Sequence, residues 1–204
     1  MDWSISPNMY LQQTEVNELL NELSRLSQET GLEKWERAHI LCAILLHTGI
    51  RIGEAQALLH EDFHLDSDEP KLFVRNGKGG KQRWIPLGDR QLREHIRNHV
   101  EWKKSIGRGI EGEDYFFQSR CDNKYSISGL QQLVKLALKT IDLDHHSAHS
   151  LRHSWATAHF NIHRNILMTS RILGHASVQT TQVYAHCNFS DMLKSTDNLY
   201  KERR

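Results

Sequence analysis

Apolar positions along this chain follow two rhythms. Val16, Leu19, Leu20, Leu23 and Leu26 recur at helical spacing behind Thr14, a capping residue type, which predicts a first amphipathic helix over about residues 15–28, broken by Gly31. Residues 34–47 are apolar nearly all round, from Ile40 to Leu46, as expected of a buried helix, and the run stops at Thr48-Gly49. A short helix is predicted over 52–59, with Arg51 close to its N-terminus. The period then changes to two. Residues 72–74 and 83–85 read as strands of a hairpin around Asn76-Gly77-Lys78-Gly79-Gly80, whose glycines supply positive φ values. Helical spacing returns over 89–105, 126–141, 147–160, 166–173, 178–185 and 190–200, with a short strand predicted at Phe116-Phe117. The class predicted is mainly α with a small antiparallel β-sheet, as one domain with no internal repeat.

Composition excludes several alternatives. The 204 residues hold 26 Lys and Arg against 25 Asp and Glu, with a mean hydropathy of -0.60. No stretch approaches the roughly 20 apolar residues of a membrane span. The start, Met1-Asp2-Trp3-Ser4-Ile5-Ser6-Pro7, lacks the basic and apolar regions of a secretory signal, so a cytoplasmic protein is expected, nucleoid-associated if bacterial. Cys42, Cys121 and Cys187 are far apart and odd in number, which argues against a disulfide framework.

The near-zero net charge conceals a segregation. Between residues 54 and 70 there are six acids and no Lys or Arg; between 71 and 108 there are eleven bases against three acids. Such a basic segment is an electrostatic footprint for a polyanion, although a solvated helix face has the same look. Eight of the fourteen histidines fall between 142 and 190, which suggests acid–base or metal chemistry.

Taken singly, the chemical candidates are modest. Arg51, at a helix start beside a Thr-Gly break, could hold a phosphate. Lys78 at a Gly-rich hairpin tip could carry an ammonium to a leaving oxygen, and the loop is no Walker motif because Gly79 and then a strand follow. His149 and Arg152 share a helix face, one able to shuttle a proton and the other to neutralise charge. His149 and His153 have the spacing of a zinc helix, but Ser150 stands where a zinc protease needs glutamate. Leu173-Gly174-His175 ends a helix with an imidazole beside it, and Tyr184 follows nine residues on.

Together, two arginines, a lysine, two histidines and a tyrosine form the set needed for metal-free phosphoryl transfer through a covalent protein intermediate. In four ordered blocks the chain resembles the tyrosine recombinase (phage integrase) family. They are Thr48-Gly49-Ile50-Arg51-Ile52-Gly53-Glu54, Gly77-Lys78-Gly79-Gly80-Lys81-Gln82-Arg83-Trp84-Ile85-Pro86-Leu87, His149-Ser150-Leu151-Arg152-His153, and Leu173-Gly174-His175 running on through Ala176-Ser177-Val178-Gln179-Thr180-Thr181-Gln182-Val183 to Tyr184. The resemblance implies the catalytic-domain fold of that family, with Tyr184 as nucleophile and Arg51 and Arg152 as the phosphate clamp. It further implies Lys78 as general acid for the 5′ oxygen, His149 in proton transfer and His175 hydrogen-bonded to the scissile phosphate. Glu54 and Asp62 are expected to support the fold or orient Arg51, and Lys81, Arg83 and Arg90 to meet the DNA backbone. No cofactor or metal is implied.

The partners expected are double-stranded DNA, accessory DNA-binding proteins and further copies of the chain, as a dimer to tetramer joined through helix 190–200. No membrane is involved. Most members of the family carry a core-binding domain before the catalytic domain. Here residues 1–13 read as a short extension and 187–204 as a tail, so the expectation is a single catalytic domain over 1–204, either excised or like the compact fimbrial-switch invertases. Two other classes stay open. One is a DNA-binding protein of this fold that transfers no strand; the other is a zinc hydrolase built on the histidines.

Overall fold

A helix that is apolar on every side has to be surrounded, and α2 (Glu33–Thr48) is: residues Ala38 to Leu46 are all buried. The computed structural model describes residues 7–75, 77, 80–119, 123–175 and 179–182. Around α2 pack α1 (Gln13–Thr30), α4 (Arg90–Ser105), α5 (Ile127–Lys139) and α6 (Ala148–His163). Between α2 and α4 the chain forms the short α3 (Ile52–Gln56) and a three-stranded antiparallel sheet of β1 (Phe63–His64), β2 (Lys71–Val74) and β3 (Arg83–Pro86), in that order. The pairs Leu72↔Ile85 and Phe63↔Leu72 set the register, putting Leu72, Val74 and Ile85 into the core. After α6 come α7 (Ile166–Leu173) and α8 (Gln179–Gln182).

The sequence-based elements are largely present, with differences that have local causes. Helix α1 begins at Gln13, before Thr14, because the Glu15 carboxylate accepts the backbone N–H of Gln12 at 2.6 Å and closes the end from inside. Helix α3 stops at Gln56. Strand β1, only two residues long, leaves no period in the sequence to read. Phe116 and Phe117 form no strand; they are buried side chains between two isolated bridges, Leu59↔Tyr115 and Gln118↔Lys124. Of the helix expected over 178–185, residues 179–182 are described, and the helix expected over 190–200 lies outside the described residues. No helix among the described residues is long and apolar enough to cross a membrane. Cys42 is wholly buried, which pushes its thiol up to about 12.

Candidate active site

The site is built where α2 ends. Gly49 closes that helix at φ 65°, its N–H donating to the Leu45 carbonyl at 3.0 Å. Space demands glycine as well as conformation, since a Cβ here would lie 2.6 Å from the Trp155 ring. Two side chains of α6, three residues apart and so on one face, clip the same turn. Trp155 Nε1–H donates to the His47 carbonyl at 3.0 Å, and Arg152 Nη1–H to the Gly49 carbonyl at 2.6 Å.

That clip sets Arg51, the residue preceding α3, against Glu54. The Arg51 backbone N–H donates to Glu54 Oε2 at 2.8 Å and its Nη1–H to Oε1 at 3.1 Å. Glu54 is 4% exposed and also accepts a bidentate fork from Arg83, Nη1 and Nη2 each at 2.9 Å. Burial opposes the Glu54 charge, but the Arg83 fork and the Arg51 contacts outweigh it and hold the carboxyl below the usual carboxylate range. Glu54 therefore orients Arg51. Asp62 does not: 1% exposed, it accepts from the Leu59 N–H at 2.8 Å and Arg75 Nε at 2.7 Å, tying the start of β1 to the end of β2. Burial raises its pKa despite these partners.

Arg83 departs from expectation in another way. It was expected on the DNA backbone, but its side chain is 12% exposed, and its Nε–H donates to the Ile172 carbonyl at 2.8 Å while the fork grips Glu54. Gly174, at φ 65°, leaves it room, because a Cβ there would lie 2.9 Å from the guanidinium. Arg83 is thus a strut joining α3 to the end of α7. Lys81 and Arg90 are exposed.

Arg152, 2% exposed, reaches the other side of the same centre. Its Nη2 donates to the Leu173 carbonyl at 2.9 Å and to His175 Nε2 at 3.0 Å. His149 stands at the start of α6, its N–H donating to the capping Ser147 Oγ at 3.3 Å. Burial, then the charges of Arg152 and Arg51, lower its pKa, so the ring is neutral at pH 7. The same causes, with Arg83 and His153 added, take His175 down to about 4. The His153 ring meets that of His149 edge to face at 4.4 Å, and among the described residues no group of three or more His, Cys, Asp or Glu is gathered closely enough to hold a metal.

Arg51, Glu54, His149 and Arg152 line a groove of about 740 Å³, into which Gly77 also faces. A Cβ on Gly77 would stand 2.5 Å from the Lys81 carbonyl and 3.1 Å from Arg83, so the hairpin mouth sits directly on the strut. Lys78 and Tyr184 lie outside the described residues. The structure brings together Arg51, His149, Arg152 and His175. Sequence reasoning missed Thr181, buried and bonded to His175 Nδ1 at 2.8 Å, although it stands in the segment leading to Tyr184.

The family model described as the phage integrase family matches residues 9–191. Tyrosine recombinase XerC of Pediococcus pentosaceus is 30% identical over 162 residues, 78% of this chain and 52% of that protein. Tyrosine recombinase XerC of Bacillus subtilis is 29% identical over 190 residues, 92% of this chain and 59% of that protein. The chain thus spans little more than half the length of these relatives. Among solved structures, the XerH site-specific recombinase bound to its difH substrate shares the fold with a TM-score of 0.78 at 22% identity, covering 96% of this chain and 55% of that one. The XerA recombinase gives 0.72 at 27% identity, covering 91% and 63%.

Proposed function

The chain belongs to the phage integrase family, and we propose that it cuts and rejoins duplex DNA at specific sites through a 3′-phosphotyrosyl intermediate on Tyr184. The observation that carries this reading is the convergence of Arg51, Arg152 and a neutral His149 on one groove, with a second neutral histidine, His175, bonded to Arg152. Arg152 and His175 are in contact at 3.0 Å, and Arg51 is oriented from the opposite side by Glu54.

The chemistry follows from the charges. A phenol of pKa about 10 is a poor nucleophile at neutral pH and needs a base beside it. His149, neutral because burial and two arginines disfavour its cation, accepts the Tyr184 proton. The phenolic oxygen attacks phosphorus, Arg51 and Arg152 balance charge on the non-bridging oxygens, and the P–O5′ bond breaks. Lys78 gives its proton to the departing 5′ oxygen. One ester is exchanged for another, so a 5′ hydroxyl of a second strand reverses the steps and frees Tyr184 without a nucleotide. His175 hydrogen-bonds the phosphate, and the exposed Lys81 and Arg90 meet the DNA backbone, whose contacts dominate affinity.

For assembly on DNA, we propose that residues 190–200 of one copy, whose sequence predicts a helix, dock in the groove of about 430 Å³ between Tyr10–Val16 and the C-terminal half of α6 of the next, where Ile162 is 75% exposed. Removing residues 190–204 would then lower the number of copies per DNA site in a gel-shift titration.

The deciding experiment uses nicked duplexes tiled across the chain's own genomic neighbourhood, incubated in EDTA and run on a denaturing gel. The expected result is a covalent protein–DNA band lost in Tyr184→Phe. A band that survives Tyr184→Phe removes the tyrosine chemistry. Retarded but never covalently joined DNA leaves a binding protein of this fold.

A further inference from the structure

The tautomer of His175 is readable from its neighbours. An arginine only donates, so the 3.0 Å contact makes His175 Nε2 an acceptor, and the ring proton of the neutral imidazole sits on Nδ1. That Nδ1–H donates to Thr181 Oγ1 at 2.8 Å, and Thr181 is 0% exposed. The ring is consequently held in the form that offers a phosphate no donor at Nε2. A hydroxyl both accepts and donates, so the contact with Thr181 survives when the proton moves to Nε2 and Nδ1 becomes the acceptor. No other common side chain of this size supports both states without leaving a buried polar atom unpaired.

We propose that Thr181 is a positioning residue: Arg152 at Nε2 sets the Nδ1–H form at rest, and the Thr181 hydroxyl keeps Nδ1 paired in that form and in the Nε2–H form that follows when a phosphate takes the place of Arg152 at Nε2. In sequence Thr181 lies three residues before Tyr184, so the same hydrogen bond ties the segment leading to the nucleophile to the phosphate clamp. The inference rests on the function proposed above for its catalytic consequence, but not for its structural content.

The test separates these two parts. Nitrogen NMR of the histidine-labelled full chain, with His175 assigned through His175→Gln, should show Nδ1 protonated and Nε2 bare in the wild type without DNA. Thr181→Val, of nearly equal volume, should keep the tautomer that Arg152 dictates but shift the Nδ1 signal and speed exchange of its proton with water, the bond to the hydroxyl being lost, and Thr181→Ser should restore the wild-type signals. On nicked duplex, covalent complex should form about tenfold more slowly in Thr181→Val, as for loss of one buried hydrogen bond, and at the wild-type rate in Thr181→Ser. An Nε2–H signal in the wild type overturns the proposal, as does a Thr181→Val protein with an unchanged Nδ1 signal or an unchanged rate. Absence of any covalent complex in the wild type counts against the recombinase reading alone, since the NMR signals still decide the role of Thr181.

Discussion

Arg83 and Glu54 form a two-point bond, both distances 2.9 Å, in which both partners are largely shielded from water: the side chains are 12% and 3% exposed. The same carboxylate holds Arg51 by its backbone N–H and its guanidinium. One buried acid therefore sets the direction of an arginine that faces the groove, through a strut anchored to the end of α7 by the Ile172 carbonyl.

Glu54→Gln is expected to destabilise the fold by about 3 to 5 kcal/mol, the usual consequence of leaving a buried arginine without its counter-ion. Chemical denaturation measures it. The control is Asp66→Asn, which breaks the exposed pair with Arg97 and should change stability by less than about 1 kcal/mol. A surviving Glu54→Gln protein should also form covalent complex more slowly than wild type, because Arg51 has lost its aim.

Salt dependence distinguishes the strut from the DNA contacts. Lys81→Gln and Arg90→Gln should each lower the slope of log affinity against log salt by about one, as removal of one phosphate contact does. Arg83→Gln should lower the denaturation midpoint and leave that slope unchanged. A reduced slope in Arg83→Gln would mean that the guanidinium leaves Glu54 on binding DNA.

How far this site was legible in the sequence can be judged from Arg83 itself. Its position on a strand and its charge were readable, but its partners lie 29 and 89 residues away, and only the packing of α7 under β3 turns it inward. Glu54, three residues after Arg51 at a helix start, was legible because local spacing alone brings the pair together. The same holds for α2, whose apolar run allows only burial. For Asp62 the sequence left two roles open, supporting the fold or orienting Arg51, because acids near a site look alike in sequence, and the choice of Arg75 as partner depends on how β2 lies against the turn before β1. Strand β1 had too few residues to show a period.

Gly49 and Gly31 make a matched pair for separating strain from crowding. Both sit at helix ends with positive φ, 65° and 61°, but a Cβ on Gly49 meets the Trp155 ring at 2.6 Å while one on Gly31 meets nothing within 4 Å. Gly31→Ala is expected to cost about 1 kcal/mol in backbone strain. Gly49→Ala should cost about 3 kcal/mol, because overpacking is added and Trp155 must shift. Urea titration reports both. Covalent-complex formation should fall only in Gly49→Ala, where the carbonyl bonded to Arg152 moves.

Acid should weaken the fold well before ordinary carboxylates titrate, and His39 shows why. It is 8% exposed, its Nε2 finds no hydrogen-bond partner among the described residues, and burial, then the nearby His95, takes it down to about 4 against the pull of Glu36, with His99 adding to the lowering. In the unfolded chain the same ring takes a proton near pH 6.5. Between pH 6.5 and about 4 the unfolded state therefore binds more protons than the folded one, and stability falls as the pH falls across that window. One such group is worth about 3 kcal/mol by the low end. His60, also near 4 through burial and then Lys103, adds in the same direction. His39→Leu should flatten the decline, making the variant more stable than wild type at pH 5 by more than at pH 8. An equal difference at both values would show that the unpaired nitrogen, rather than its titration, is what the fold tolerates at this position.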